Sequence, residues 1–412
     1  MRQDPLSLKK MKQGDITWAT QKILLGWVID SVRGTIHLPQ HRVQRLTEML
    51  KEVEGQRRVS RKRWRKLLGE LRSMMLAIPG AEGMFSHIQA ALVVAGNANR
   101  IKVDRSTRDE LSDWAWLADD ISNRPTSIAE VVRHPPSIWQ ATDAAKAGMG
   151  GVVFDLTKRA DPIVWRHPFS VEIQSRWVSD VNPRGDITNS DAELCGLIGG
   201  HDVCAQNYDV RHRNITTCCD NTPSVSWSLK GSVSRDSPVA YLLRLLALHR
   251  RFYRFVSTVT HIAGDKNLMA DDASRLWQLS DTELLAHFNS TYPQDRSWRL
   301  VALRPQMHSA LISSLCKRRS TEGLFPPVQK QTKVASVSGK SSVGPTTWTP
   351  SSIKYGTRCR FSKFLPVGLK AASSLTTGSQ YAHVLLRRTS GRLGRRSPTW
   401  ASSTPVATNT EE

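Results

Sequence analysis

Four acidic residues, Asp143, Glu193, Asp220 and Asp271, stand where carboxylates could act together. No short motif joins them, but their local settings do. Asp143 closes a β-type run in Ala-Thr-Asp-Ala-Ala, and Asp220 closes another in Thr-Thr-Cys-Cys-Asp-Asn. Glu193 falls in a helical stretch after Asn189, and Asp271 opens a short helix after Gly264-Asp-Lys-Asn. Singly, each has an ordinary explanation as a turn or a helix cap. As a set they would be costly, because two like charges 5 Å apart repel by roughly 3 kcal/mol at an effective dielectric of 20. Divalent cations remove that penalty. Mg²⁺ takes oxygen ligands and keeps waters, which suits carboxylates beside a phosphate. A pair of such ions can hold the attacking water and the leaving oxygen of a displacement at phosphorus.

The elements that must position these residues alternate in type. From about Ser137 to Leu276 the order reads strand, glycine hairpin, strand, strand, helix, strand, helix, helix, strand, helix. Ala147 to Phe154 reads as the Gly-rich hairpin, Asn189 to Gln206 as a helix, Ile215 to Asp220 and Ser257 to Ile262 as strands. Ser237-Pro238 starts a helix cleanly, with Pro at its first position. Leu242, Leu243, Leu245, Leu246 and Leu248 make that helix apolar almost all round, so it is expected to be buried. Gly196, Gly199 and Gly200 each cost about 1 kcal/mol in a helix interior; close approach to a sheet would compensate. One sheet flanked by helices is the expected class.

Upstream, Ile16 to Leu38 reads as strands broken by a turn at Asp30–Gly34. Pro39 precedes a helix with Val43, Leu46, Leu50 and Val53 at helical spacing. A second helix starts at the N-cap residue Ser60 and runs to a stop at Pro79-Gly80, with Trp64, Leu67, Leu68, Leu71 and Met75 as its stripe. Arg57, Arg58, Arg61, Lys62, Arg63, Arg65 and Lys66 crowd its front. They read either as a solvated face or as a contact that tracks a nucleic-acid backbone.

The 412 residues carry a net charge of +22. Of that, +14 lies beyond residue 300, where 17 Lys and Arg face three acidic residues. Such an excess favours a polyanion, since each cation placed on a phosphate releases counterions. The six cysteines include no C-x-x-C pair, so neither a disulfide framework nor a structural zinc is expected. No signal peptide or membrane span is expected either, because no apolar stretch reaches 18 residues. The expected setting is intracellular, cytoplasm or nucleus. A short helix at Asp281 to Phe288 still looks ordered, whereas residues 320–412, rich in Ser, Thr, Pro and basic residues, are expected to be disordered.

Thr142-Asp143, Gly148-Met-Gly-Gly-Val, Glu193-Leu194, Asp220-Asn221 and Asn267-Leu-Met-Ala-Asp-Asp-Ala-Ser-Arg275 resemble the ribonuclease H domain of retrotransposon polymerases. His261-Ile-Ala-Gly264 resembles that family's entry to its last helix. Asp220 to Trp227 and Ala270 to Trp277 resemble the DIRS-like elements, which pair reverse transcriptase and ribonuclease H with a tyrosine recombinase. Leu25-Gly-Trp-Val-Ile-Asp30 and Ile36-His-Leu-Pro39 resemble the end of a polymerase palm leading into thumb and connection. The resemblance covers roughly Asp15 to Trp298. Ala145 replaces a frequent serine and Ala263 a frequent proline, and neither position is a ligand.

The resemblance implies an α/β fold: an RNase H-like five-stranded mixed sheet flanked by helices (137–277). A mostly helical thumb and connection region (1–136) would precede it. A short helical extension (278–319) and the basic tail (320–412) would follow. It also implies that Asp143, Glu193, Asp220 and Asp271 bind two Mg²⁺ ions, or Mn²⁺ in their place, and that the RNA strand of an RNA–DNA hybrid is cut. Asp272 competes with Asp271 as fourth ligand, and Asp271 is preferred. Arg61, Lys62, Arg63, Asn221 and Lys230 are expected to touch nucleic acid, with Trp227 and Arg235 as further phosphate-side neighbours. A Tyr/Phe-x-Asp-Asp polymerase motif does not occur, and Asp119-Asp120 lies in a helical context. DNA synthesis is therefore not expected, and the missing polymerase portion is an expected partner. Two other readings stand beside the nuclease: a decayed element product that binds without cutting, and a host-adopted binding module using the helix from Arg57 to Lys66.

Overall fold

A computed structural model of the chain describes residues 19–132, 134–233, 237–319 and 324–325. The expectation of a disordered tail falls almost entirely outside these residues, as does Arg235.

The chain opens with a small antiparallel sheet of β1 (Gln21–Leu24), β2 (Trp27–Asp30) and β3 (Thr35–His37). Leu25 and Gly26 both take positive φ, the backbone that a two-residue hairpin turn requires. At the next turn the Asp30 carboxylate accepts from the Val32 and Arg33 amides, at 3.0 and 2.8 Å. Helix α1 (Gln40–Val53) buries Leu46, Met49, Leu50 and Val53, one face of a 3.6-residue repeat. A short strand β4 (Arg58–Ser60) leads into α2 (Arg61–Met74), whose Arg63 amide donates to Ser60 Oγ at 3.4 Å. Helix α2 ends five residues before the Pro79-Gly80 stop, because a tighter turn at Met75–Ala77 replaces its last coil. Then follow α3 (Ser86–Val94), β5 (Arg100–Lys102), α4 (Arg105–Asn123), β6 (Thr126–Ser127) and α5 (Ile128–Val131). Strand β6 joins β3, and β5 pairs antiparallel with β4.

The second part is built on a mixed sheet. Its elements are β7 (Ile138–Ala145), β8 (Gly148–Asp155), β9 (Ile163–Pro168), α6 (Val171–Ser175), α7 (Asn189–Asn207) and β10 (Asn214–Cys219). They continue with α8 (Thr222–Lys230), α9 (Pro238–Tyr253), β11 (Val256–His261), α10 (Leu268–Arg275), α11 (Asp281–Thr291), β12 (Arg299–Val301) and α12 (Pro305–Leu315). The sheet order is β11-β10-β7-β8-β9-β12. Strand β8 runs antiparallel to β7 and β9, whereas β10 is parallel to β7 and β11. Strands β7 to β11 lie within 137–277, where five were expected, and among the described residues the sheet carries a sixth, β12, from the stretch 278–319 that was expected to be a short helical extension. Strand β12 pairs in parallel with Ile163–Trp165 and covers part of an edge that β9 would otherwise expose.

A second correction concerns the glycines. Gly148, Gly150 and Gly151 lie within strand β8, and the reversal falls at residues 146–147. A Cβ on Gly150 would stand 2.7 Å from the Ala273 carbonyl carbon, and one on Gly151 2.3 Å from the Ala141 oxygen. Gly150 lets α10 lie against the sheet backbone, while Gly151 faces the backbone of β7 and the Trp165 ring. The glycines of α7 serve the same purpose on the other face. A Cβ on Gly200 would meet Gln140 Oε1 at 2.5 Å, and one on Gly199 the Trp165 ring at 3.1 Å.

Helix α9 is buried on two sides, which explains its apolar circumference. Leu242, Leu243, Leu245 and Leu246 join the core under the sheet, while Ala247 and Leu248 join the core of the first part. Its arginines reach across the same junction. Arg251 Nε lies 2.5 Å from Asp120, Arg254 Nη2 2.5 Å from Glu130, and Arg244 pairs with Asp113. Asp120, half of the Asp-Asp pair in α4, is therefore spent on a buried ion pair. No helix of the described residues is long and apolar enough to cross a membrane.

Candidate active site

Strands β7 and β10 are parallel neighbours in register Cys218↔Ala141. Two residues further along, that register sets Asp220 opposite Asp143, at the same sheet edge and one strand spacing away, about 4.8 Å. Glu193 comes from α7, whose start is fixed by reciprocal bonds between Thr188 and Asp191. The helix presses on β7 here: a Cβ on Gly196 would be 3.4 Å from the Asp143 carbonyl oxygen. Ligand atoms of Glu193, Asp220 and Cys219 lie within 4.8 Å of one another.

Asp271 arrives on α10. Asn267 Nδ2 donates to the Thr142 carbonyl at 3.1 Å, tying the start of α10 to β7 beside Asp143. About two turns on, Ser274 Oγ donates to Asp143 Oδ2. Arg275 Nε stands 2.5 Å from Asp271 Oδ1 and 3.7 Å from Asp143 Oδ2. Asp272 points elsewhere, accepting from Tyr292 at 2.8 Å and lying 2.7 Å from His287 Nε2. The structure thus brings Asp143, Glu193, Asp220 and Asp271 to one sheet edge and turns Asp272 into a separate network.

The electrostatics follow from burial and like charge. Burial, then the Asp143 and Asp220 charges, push the Glu193 carboxyl up to about 10. Burial likewise raises Asp143, against the bond from Ser274, and raises Asp220 with help from Asp271. Burial also pushes the Cys219 thiol up. The carboxylates are hard oxygen donors under mutual repulsion, a set whose chemistry fits Mg²⁺ or Mn²⁺.

The expected nucleic-acid contacts are scattered. Arg61 donates to the Ala98 carbonyl at 3.3 Å, Arg63 pairs with Glu52 at 3.3 Å, and Lys62 is exposed. Asn221 caps α8 through Oδ1, which accepts from Ser224 N at 3.0 Å. Lys230 sits at the other end of that nine-residue helix, roughly 13 Å along its axis. There it lines a cavity of about 390 Å³ with Arg250, Glu82 and Glu130, and none of the four carboxylates reaches that cavity.

Sequence reasoning did not single out Arg100 and Lys102. On the β4–β5 ladder Arg58 stands opposite Lys102 and Ser60 opposite Arg100, all four exposed, with Val59 and Ile101 buried on the reverse face. Like charges directly opposite destabilise a ladder, and Arg58 and Lys102 are such a pair. The roles of Ser274 and Arg275 were also missed, although their spacing of three and four residues from Asp271 places all three on one helix face.

No family model matches the chain, and no curated protein does. Among solved structures it is similar to a foamy viral protease-reverse transcriptase in complex with an RNA/DNA hybrid, at 9% identity and a TM-score of 0.25. That match covers 60% of this chain and 29% of the other. A dRH form of that protein bound to double-stranded DNA matches at 11% identity and a TM-score of 0.24, over 59% and 38% of the two chains. The same protein in complex with double-stranded DNA matches at 10% and 0.25, over 60% and 45%. The chain therefore spans less than half the length of each of these neighbours.

Proposed function

We propose that this chain is a ribonuclease H-type nuclease of a retroelement polymerase, DIRS-like by its motifs, which hydrolyses the RNA strand of RNA–DNA hybrids. The observation that carries the reading is the convergence of Asp143, Glu193, Asp220 and Asp271 at the end of two parallel strands, with Glu193 pushed up to about 10. Such strongly perturbed carboxylates mark sites poised for cation binding and phosphate chemistry. Asp143 and Asp220 are the central ligands in this account, Glu193 the ligand from the helix, and Asp271 the outer one. When bound, two Mg²⁺ ions would supply Lewis acidity and a nucleophilic water at phosphorus.

The chain's own residues hold that site in shape. Ser274 and Asn267 fix Asp143 and its strand relative to α10. Glu193 is buried on α7, and a divalent cation would have to displace its proton, released to solvent, before the carboxylate could serve as a ligand. The exposed cations of the β4–β5 ladder, with Lys62, would hold the hybrid's phosphates without regard to sequence. The 2′-hydroxyl distinguishes RNA from DNA in such a duplex, and residues near the β7–β8 hairpin and Asn221 would read it. The polymerase portion of the same polyprotein would be the natural partner, in cytoplasm or nucleus.

The test is incubation of the chain with a labelled RNA–DNA hybrid, with Mg²⁺ and with EDTA, beside Asp143→Asn and Asp220→Asn. Metal-dependent cutting of the RNA strand that both substitutions abolish supports the proposal. Tight hybrid binding without cutting, unchanged by either substitution, would replace it with a binding-only role.

A further inference from the structure

Arg275 is no ligand, yet it sits among the carboxylates. Its Nε lies 2.5 Å from Asp271 and 3.7 Å from Asp143, while just over half of its side chain faces solvent. The i to i+4 contact with Asp271 belongs to helix α10 itself, but the contact with Asp143 crosses from α10 to the sheet. One guanidinium therefore joins the two sides of the cluster. A flexible side chain with an exposed flank can also leave without disturbing the core.

We propose that Arg275 is the resident counter-cation of this site: it holds Asp143 and Asp271 together before metal arrives, and divalent ions must displace it to bind. This rests on the reading of the four carboxylates as metal ligands. Arg275 and a divalent ion would compete for the same two carboxylates, and like charges cannot share them at close range. Arg275 is thus a positioning residue that sets the metal affinity, and its guanidinium is released toward the solvent side, where a substrate phosphate would lie. A flexible cation suits that exchange, because it attracts carboxylate and phosphate alike.

The experiment is Mn²⁺ binding to the full chain, followed by electron paramagnetic resonance of the free ion, for wild type, Arg275→Gln and Arg275→Lys. Arg275→Gln should bind Mn²⁺ at least ~3-fold more tightly, a modest gain because the guanidinium is half in water. It should also melt lower than wild type in EDTA. Arg275→Lys keeps the charge and should stay near wild type in both measurements, which separates charge from packing. Equal or weaker Mn²⁺ binding by Arg275→Gln, with wild type binding well, overturns the inference and leaves the metal site standing. Wild type that binds no Mn²⁺, even at millimolar concentration, overturns both.

Discussion

Glu193→Gln should stabilise the metal-free protein, and the gain should grow with pH. In the folded chain the Glu193 carboxyl is pushed from 4.5 to about 10 by burial, by the charges of Asp143 and Asp220, and by a hydrogen bond with Asp143. The unfolded chain releases this proton near 4.5, so between pH 4.5 and about 10 the folded state holds a proton that the unfolded state has lost. Folding stability then falls as pH rises through that window. Two and a half pH units separate 4.5 from pH 7, and each is worth 1.36 kcal/mol, a cost of about 3 kcal/mol. Glutamine keeps a neutral, donating side chain of the same shape and carries none of that cost. Urea unfolding in EDTA at pH 5, 6, 7 and 8 would measure it. The difference between variant and wild type should open by about 1.4 kcal/mol per pH unit. Added Mg²⁺ should close the gap, since only wild type offers the metal a carboxylate there. A difference that is absent at pH 8, or flat with pH, would refute the placement of Glu193 among buried like charges.

Other perturbations test the frame around the site. Asp120→Asn removes the nearer of the two carboxylates that pair with buried Arg251, leaving only Glu130 at 3.9 Å, and should cost about 3 kcal/mol in urea unfolding, the lower end of the penalty for breaking a buried pair. Gly150→Ala puts a Cβ 2.7 Å from the α10 backbone. It should lower stability by about 1–3 kcal/mol and should weaken Mn²⁺ binding, because α10 carries Asp271. Arg58→Glu with Lys102→Glu should weaken hybrid binding and reduce the salt dependence by about 0.9 in log–log slope for each phosphate that is no longer neutralised. An unchanged slope would remove the β4–β5 ladder from the interface.

Much of this architecture could be read from local pattern. The strand before Asp143, the strand before Asp220 and the helix around Glu193 each announce themselves through β-branched runs or through Thr188 and Asp191. The all-round apolar character of α9 foretold burial, but not that its two sides serve two cores, since Asp113 and Asp120 lie more than a hundred residues away. Gly148, Gly150 and Gly151 were misread because a glycine admits two explanations, a turn or a close backbone approach, and only packing against the neighbouring strands, α10 and Trp277 separates them. Strand β12 is three residues long and offers too short a pattern to distinguish from a loop. Arg100 and Lys102 gain meaning only through pairing with Arg58 and Ser60, a register that local sequence does not display.

Whether four carboxylates at one sheet edge form a metal-dependent nuclease for hybrid RNA can be decided with three duplexes of identical sequence. RNA–DNA, RNA–RNA and DNA–DNA, each labelled on both strands, should be offered to the chain in Mg²⁺. The expected outcome is cutting of the RNA strand of the hybrid alone, abolished in Asp143→Asn. Cutting of all three, cutting that persists in Asp143→Asn, or no cutting by folded protein that binds Mn²⁺ would contradict the proposed function.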